Sequence, residues 1–168
     1  MKTHVLSRGG SPTPAVTAAV LAGANYVLHH YEHEEDSLSY GREAADAMES
    51  IGVEAARVYK TLVARADTRF VLALVSTSTK IDLKALAAAM GAKHAELASP
   101  ADAERVTGYV IGGISPLGTR RRLRTVVDDS ASSWPTIFVS AGRRGLELEI
   151  APSELVRLTG AIVARLSR

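Results

Sequence analysis

The segment GYVIGGISPLGTRRRLRTVVDD, residues 108–129, constrains the fold more than any other. An apolar stretch carries glycine at 108, 112, 113 and 118 and proline at 116, then runs into four arginines within five positions. Each glycine held inside a regular element costs roughly 0.5–1 kcal/mol of ordering relative to alanine, and a strand interior disfavours both glycine and proline. The block is therefore a loop, selected by something other than core packing, and the regular elements must be arranged around it.

The loop is poor in the usual nucleotide signals. GGISPLG lacks the closing Gly-Lys-Ser/Thr of a phosphate loop and the G-x-G-x-x-G spacing of a dinucleotide fold, and it follows a helix end where a strand would be needed. Ser115 has no G-x-S-x-G surround, so it is no nucleophile elbow. Two readings remain open: a tight structural turn, or a backbone that approaches a ligand closely and presents N–H groups to a carbonyl, ribose or developing oxyanion.

Upstream, residues 1–12 read as a flexible tail. A helix is predicted from TPAVTAAVLAGA, with Thr13 as N-cap, Pro14 at the first helical position and Gly23 near the end. NYVLHHY reads as a strand, EHEEDSLS as an acidic loop, and YGREAADAMESIG as a helix that places Ala44, Ala45, Met48 and Ile51 on one face. VYKTLVA and FVLALVS are two strands about a polar turn, and DLKALAAAMG and SPADAERVTG are helices, the second capped by Ser99. After the glycine loop come LRTVVD, TIFVSA and LELEI as strands, and PSELVRLTGAIVARL as a closing amphipathic helix. This irregular alternation favours a single α+β domain, over residues 13–168, with a mixed, largely antiparallel sheet flanked by helices.

Composition excludes several classes. No apolar run approaches the ~20 residues needed to span a bilayer, the first residues lack the apolar core of a signal peptide, and there is no cysteine to form a disulfide. The chain reads as cytoplasmic. Its net charge of +2 hides a split: residues 1–56 carry −5 and residues 57–168 carry +7. Such asymmetry points mildly to a polyanionic partner, although a solvated surface shows the same split.

Several side chains are candidates for chemistry. Lys60 stands inside an apolar strand, where alternation puts it with Val58 and Leu62, opposite Tyr59, Thr61 and Val63. A lysine there either snorkels to an edge or meets an anion in a cleft. His29 and His33 lie four apart beside Glu32, Glu34 and Glu35, but on a strand that spacing spans roughly 13 Å, too far for one zinc ion, and surface histidines in an acidic loop are the simpler account. Ser140 can be combined on paper with a histidine and Asp128 or Asp129, yet nothing in the spacing selects a triad. Arg120, Arg121, Arg122 and Arg124 suit backbone phosphates but cannot read sequence, and a solvated loop accounts for them equally well.

Taken in order, TPAV at 13–16, VYKTL at 58–62, DLK at 82–84, TGYVIGGISPLG at 107–118 and TIFVSAGRRGLELEIAP at 136–152 resemble the YbaK/ProX-type aminoacyl-tRNA deacylases, relatives of the editing domain of bacterial prolyl-tRNA synthetases. The resemblance covers about residues 13–166. It implies a curled, mixed, largely antiparallel sheet and trans-editing hydrolysis of mischarged tRNA, first of all cysteinyl-tRNA(Pro). It also implies a transient complex with prolyl-tRNA synthetase, and neither metal nor cofactor. The cleavage it implies uses no protein nucleophile: the thiol of the substrate's own cysteine attacks its ester carbonyl and leaves as a cyclic thiolactone.

On that resemblance Lys60 matches the family's essential lysine and would hold the terminal adenosine or a phosphate. Gly112 and Gly113 match glycines that bring main-chain N–H groups to the aminoacyl end, and Tyr31, Tyr40, Thr61, Ser140 and Glu147 match other pocket positions. Tyr40 stands where phenylalanine is frequent, Ala141 where a second glycine is common, and Glu147 where aspartate or another small polar residue occurs. These departures bear on amino-acid selectivity, so deacylation of an alanyl or seryl ester stays open. So does a non-catalytic module that binds tRNA or synthetase.

Overall fold

The computed structural model describes residues 12–35 and 37–168, so nearly all of the tail expected over residues 1–12 lies outside the described residues. Local chemistry sets the element starts. Helix α1 (Pro14–Leu21) begins where the Thr13 hydroxyl accepts from the Val16 N–H, and α4 (Pro100–Thr107) where Ser99 accepts from Asp102. Strand β1 (Val27–His30) and helix α2 (Tyr40–Glu49) precede a hairpin of β2 (Tyr59–Ala66) and β3 (Arg69–Ser76). Helix α3 (Leu83–Ala89), capped by Asp82, leads to a short β4 (Ala95–Leu97). After α4 and the glycine loop come β5 (Arg124–Asp128), β6 (Ile137–Arg143), β7 (Leu146–Ile150), α5 (Pro152–Thr159) and β8 (Ile162–Ala164).

The strands form two sheets. One is antiparallel, in the order β1-β7-β6; the other runs β4-β2-β3-β5-β8, antiparallel through β4-β2-β3 and parallel through β3-β5-β8. This is the mixed, largely antiparallel α+β domain that the residue pattern predicts. A single parallel bridge between Val58 and Phe138 joins the two sheets. Both residues are buried, and the principal core fills the space between the sheets with Tyr59, Val63 and Leu74 against Val139 and Leu148, closed by α1 and α4.

Three expectations need correction. The closing helix stops at Gly160, in the left-handed region at φ +65°, and Ile162–Ala164 joins the sheet beside β5 instead. Apolar periodicity continues through Ile162 and Val163, but the β-branched pair after a helix-ending glycine takes the extended form. Ile51, expected on the buried face of α2, is 58% exposed because the helix has already ended at Glu49. Strand β4 has no counterpart among the elements expected from sequence.

The edge of β2 is only partly covered. Strand β4 pairs with it at Ala64, Arg65 and Ala66 alone, and β6 bridges only to Val58, just before it, so the edge around Thr61 has no ladder partner. The Thr77 N–H donates to the Val58 carbonyl and the Ala98 N–H to the Val63 carbonyl, which sets the phase of the ladder. Even-numbered residues turn their main chain toward β3, and the N–H and C=O of Thr61 project from the open edge.

Candidate active site

The open edge of β2 is one wall of a cavity of about 490 Å3. Tyr40 and Gly41 enter it from the start of α2, Ile111, Gly112 and Ile114 from the glycine loop, Ser140 from β6 and Glu147 from β7. Lys60 and Thr61 also line it, so Tyr40, Lys60, Thr61, Gly112, Ser140 and Glu147 come together around one cavity. Tyr31, Gly113 and the four arginines of the basic run are not among the residues that line it.

Lys60 is half-buried, and its Nζ donates to the Thr79 carbonyl at 3.0 Å. Burial lowers its pKa from the ordinary lysine value, and no carboxylate among the described residues acts against that shift. The side chain is therefore a cation beside the cavity without a counter-ion, a state in which an arriving phosphate gains more than at an exposed lysine.

The glycine loop is a packed scaffold. Ser115 is buried and its Oγ accepts from the Leu117 N–H, while the Tyr109 hydroxyl donates to the Leu117 carbonyl at 2.6 Å. Gly112, at φ +86°, lies directly under the Tyr40 ring, where an added Cβ would come within 2.7 Å of Cδ1. Gly113 serves differently from the expectation: its N–H donates to the Val110 carbonyl at 2.9 Å, and its α-carbon packs on the Arg143 main chain. That amide is spent inside the turn and is not offered to a ligand. Gly112→Ala should strain the loop by about 1–3 kcal/mol and push Tyr40 off its seat. A slowed single-turnover reaction with a modest drop in Tm is the expected result, and unchanged values for both would show the glycine–tyrosine packing to be idle.

Arg144, which is not among the candidates expected from sequence, ties this region together. Its guanidinium lies 4.4 Å from the centroid of the Tyr40 ring, and its Nε donates to the Ile111 carbonyl at 2.8 Å. The β6–β7 hairpin, the start of α2 and the glycine loop are thus clasped at one point. The GRRG turn of residues 142–145 is the available signal, because two arginines between glycines mark a hairpin tip that carries charge.

Glu147 is paired across the sheet with Ser140 on one side and His29 on the other, and is only 4% exposed. Burial pushes its carboxyl up to about 8. Tyr31 sits beside it, its N–H donating to the Gly145 carbonyl, and its hydroxyl is pushed up to about 12, by burial first and then by the charge of Glu147. The Ser140 Oγ accepts from the Gly142 N–H at 3.2 Å. Asp128 is consumed elsewhere: its carboxylate accepts from the Leu166 and Ser167 N–H groups at 2.7 and 2.9 Å and anchors the C-terminal segment. Ser140 and Asp128 therefore belong to separate networks.

The histidines are not merely surface residues. His29 Nε2 meets Glu149 Oε1 at 2.9 Å and His33 Nδ1 meets Glu43 Oε1 at 2.8 Å, both half-buried. Arg120, Arg121, Arg122 and Arg124 are exposed, and Arg120 packs over Gly108 at the end of α4.

Comparison with known proteins fits this geometry. The profile of the aminoacyl-tRNA editing domain matches residues 40–158. A protein of Enterococcus faecalis named provisionally as a Cys-tRNA(Pro)/Cys-tRNA(Cys) deacylase, EbsC, is 36% identical over 143 residues, covering 84% of this chain and 85% of that one. The multifunctional Ser/Thr-tRNA deacylase ProXp-y of Escherichia coli is 40% identical over 58 residues, 34% of this chain and 35% of its own. A solved structure described provisionally as a trans-editing enzyme for prolyl-tRNA synthetase superposes with a TM-score of 0.76 at 27% identity, covering 94% of this chain and 99% of that one.

Proposed function

Because the chain belongs to the aminoacyl-tRNA editing domain family, we propose that it deacylates mischarged tRNA in trans, with cysteinyl-tRNA(Pro) as its substrate. The observation that carries this reading is the cavity itself. At about 490 Å3 it falls within the range of small-molecule sites. It joins an unpaired cation to a main-chain edge and a glycine loop, and the one serine that a catalytic triad would use has its oxygen engaged by a main-chain amide.

Such a site works by placement. The substrate's sulfur attacks its own ester carbonyl, the C–S bond forms as the bond to the ribose oxygen breaks, and that oxygen takes up a proton as tRNA departs. Water later opens the thiolactone. Holding sulfur and carbonyl in a near-attack arrangement contributes several kcal/mol, and donors aimed at the oxyanion add about 3 kcal/mol. The main chain at Thr61 and Gly112 borders the space where that oxyanion would form. Lys60 would hold the terminal adenosine or its phosphate and so aim the ester.

The likeness to a Ser/Thr-tRNA deacylase supports a second reading, in which a hydroxylated side chain is accepted and water is the nucleophile. Assaying the purified protein against Cys-, Ala- and Ser-tRNA(Pro) separates the two. Turnover confined to the cysteinyl ester supports the first reading, and turnover of the seryl ester the second.

The setting proposed is the cytoplasm, in a transient complex with prolyl-tRNA synthetase, which supplies tRNA selectivity to a domain too small to recognise much of the tRNA. The exposed arginines at 120, 121, 122 and 124 would face the tRNA backbone. Changing them to glutamine should weaken tRNA binding and flatten its salt dependence, by roughly 0.7–0.9 in log–log slope for each phosphate no longer neutralised. An unchanged slope would remove them from the interface.

A further inference from the structure

We propose that Glu147, together with Thr61, receives the α-ammonium group of the aminoacyl ester, so that the cavity selects for a free amine as well as for a side chain. The inference rests on the deacylase reading above and names what that site holds.

Two oxygens of the cavity-lining residues are buried and without a partner: Thr61 Oγ1 and Glu147 Oε2. A buried polar oxygen left unpaired costs free energy, and burial holds Glu147 largely protonated instead of leaving an unpaired charge. Both residues line one cavity, and no donor among the described residues reaches either oxygen.

The surroundings of Glu147 show why the donor must arrive with a ligand. Across β1, His29 is engaged with Glu149. Across β6, the Ser140 oxygen accepts from Gly142. On β2, the ammonium of Lys60 is turned to the Thr79 carbonyl. Tyr31, beyond the end of β1, shares the field of both Glu147 and Glu43, and Glu43 on α2 is held by His33. Tyr40 and Arg42 face the same cavity from α2, Tyr40 beneath Arg144, and Arg42 makes no ion pair with Glu147. No ion pair among the described residues includes Glu147.

An aminoacyl ester carries one cation of its own, the α-ammonium, with three donors. The Glu147 carboxylate, the Thr61 hydroxyl oxygen and the Thr61 carbonyl at the open strand edge are three acceptors for it. An N-acylated or uncharged acyl group would leave them orphaned, and a site whose polar groups go unpaired rejects such an analogue.

Proton linkage gives a second readout. With its carboxyl held up at about 8, Glu147 is mostly protonated near neutrality in the free protein. An ammonium at Oε2 favours the ionised form, so binding releases a proton. Affinity should therefore rise with pH until the ammonium itself loses its proton, near the ordinary α-amino value of about 8.

The test compares cysteinyl-tRNA(Pro) with its desamino analogue, 3-mercaptopropionyl-tRNA(Pro), which keeps the thiol. Wild type should lose about 10- to 100-fold in kcat/KM on the analogue, the range of a charge-assisted hydrogen bond. Glu147→Gln should lose a similar factor on the cysteinyl ester, mostly through KM, lose little more on the analogue, and show a flat KM between pH 6 and 8. Thr61→Val should do the same more weakly. Equal penalties on both substrates, or a wild type that prefers neither, would overturn the proposal, and because the α-ammonium also acidifies the thiol, a turnover-free binding contrast decides it even if the variants fail to fold. Binding of 3′-cysteinylamino-3′-deoxyadenosine against its desamino counterpart reads the same contrast without turnover. A protein that prefers the amine there but cleaves nothing would refute the deacylase reading alone.

Discussion

Lys60→Ala should fold as the parent does and lose about 10²- to 10³-fold of its single-turnover rate on cysteinyl-tRNA(Pro), the size expected when one positioning electrostatic interaction is removed. Folding should survive because the lysine contributes little to it. Its Nζ makes one bond, to the Thr79 carbonyl beside a solvent-facing loop, and its partial burial opposes the charge it carries. The apolar stem leaves a gap beside Leu62, which alanine fills less well, so a small fall in Tm is expected. The loss of rate should be large because the ammonium lies beside the cavity with no carboxylate among the described residues acting on it. Lys60→Arg should restore part of the activity: it keeps charge, but a planar fork does not reach the point that a compact ammonium reaches. Near-normal turnover by the alanine variant would remove the lysine from the mechanism.

How much of this fold can be read from residues alone follows from the range of the interactions involved. Helix starts are legible because caps are local: Thr13–Pro14 and Ser99–Pro100 act on N–H groups three residues away. The β2–β3 hairpin is legible because its strands are long, alternating and joined by a short turn. The elements that escape depend on distant partners. Strand β4 exists only because Ala64–Ala66 accept it as an edge, and β8 only because β5 offers a parallel neighbour after Gly160 has broken the helix. Phe138 and Val58 meet across 80 residues of chain, and that meeting opens the strand edge that walls the cavity.

The site divides in the same way. Lys60 stands out as a charge inside an apolar strand. Tyr40, Thr61, Ser140 and Glu147 carry no such mark, and only likeness to a family singles them out. Gly112 and Gly113 look equivalent in sequence, yet one packs beneath an aromatic ring and the other spends its amide on Val110. For Arg144 the chain offers only the GRRG turn, a charged hairpin tip, because its importance lies in reaching Tyr40 and Ile111 together. The buried, partnerless oxygens of Thr61 and Glu147 are likewise visible only once two sheets are in place.

On the cysteinyl reading the nucleophile comes from the substrate. Of the residues that border the cavity, Ser140 has its oxygen accepting from a main-chain amide and Glu147 has a carboxyl mostly protonated near neutrality, and on that reading neither is asked to attack. Rate on that reading comes from bringing the guest's own sulfur to its carbonyl, a gain of placement and orientation. Blocking the sulfur removes that advantage without enlarging the acyl group by more than one methyl. The decisive comparison is single-turnover deacylation of cysteinyl-tRNA(Pro) against its S-methylcysteinyl counterpart, with binding of both measured separately. Attack by the substrate thiol requires comparable binding and a rate at least about 10³-fold lower for the methylated ester; equal rates at equal occupancy would contradict it.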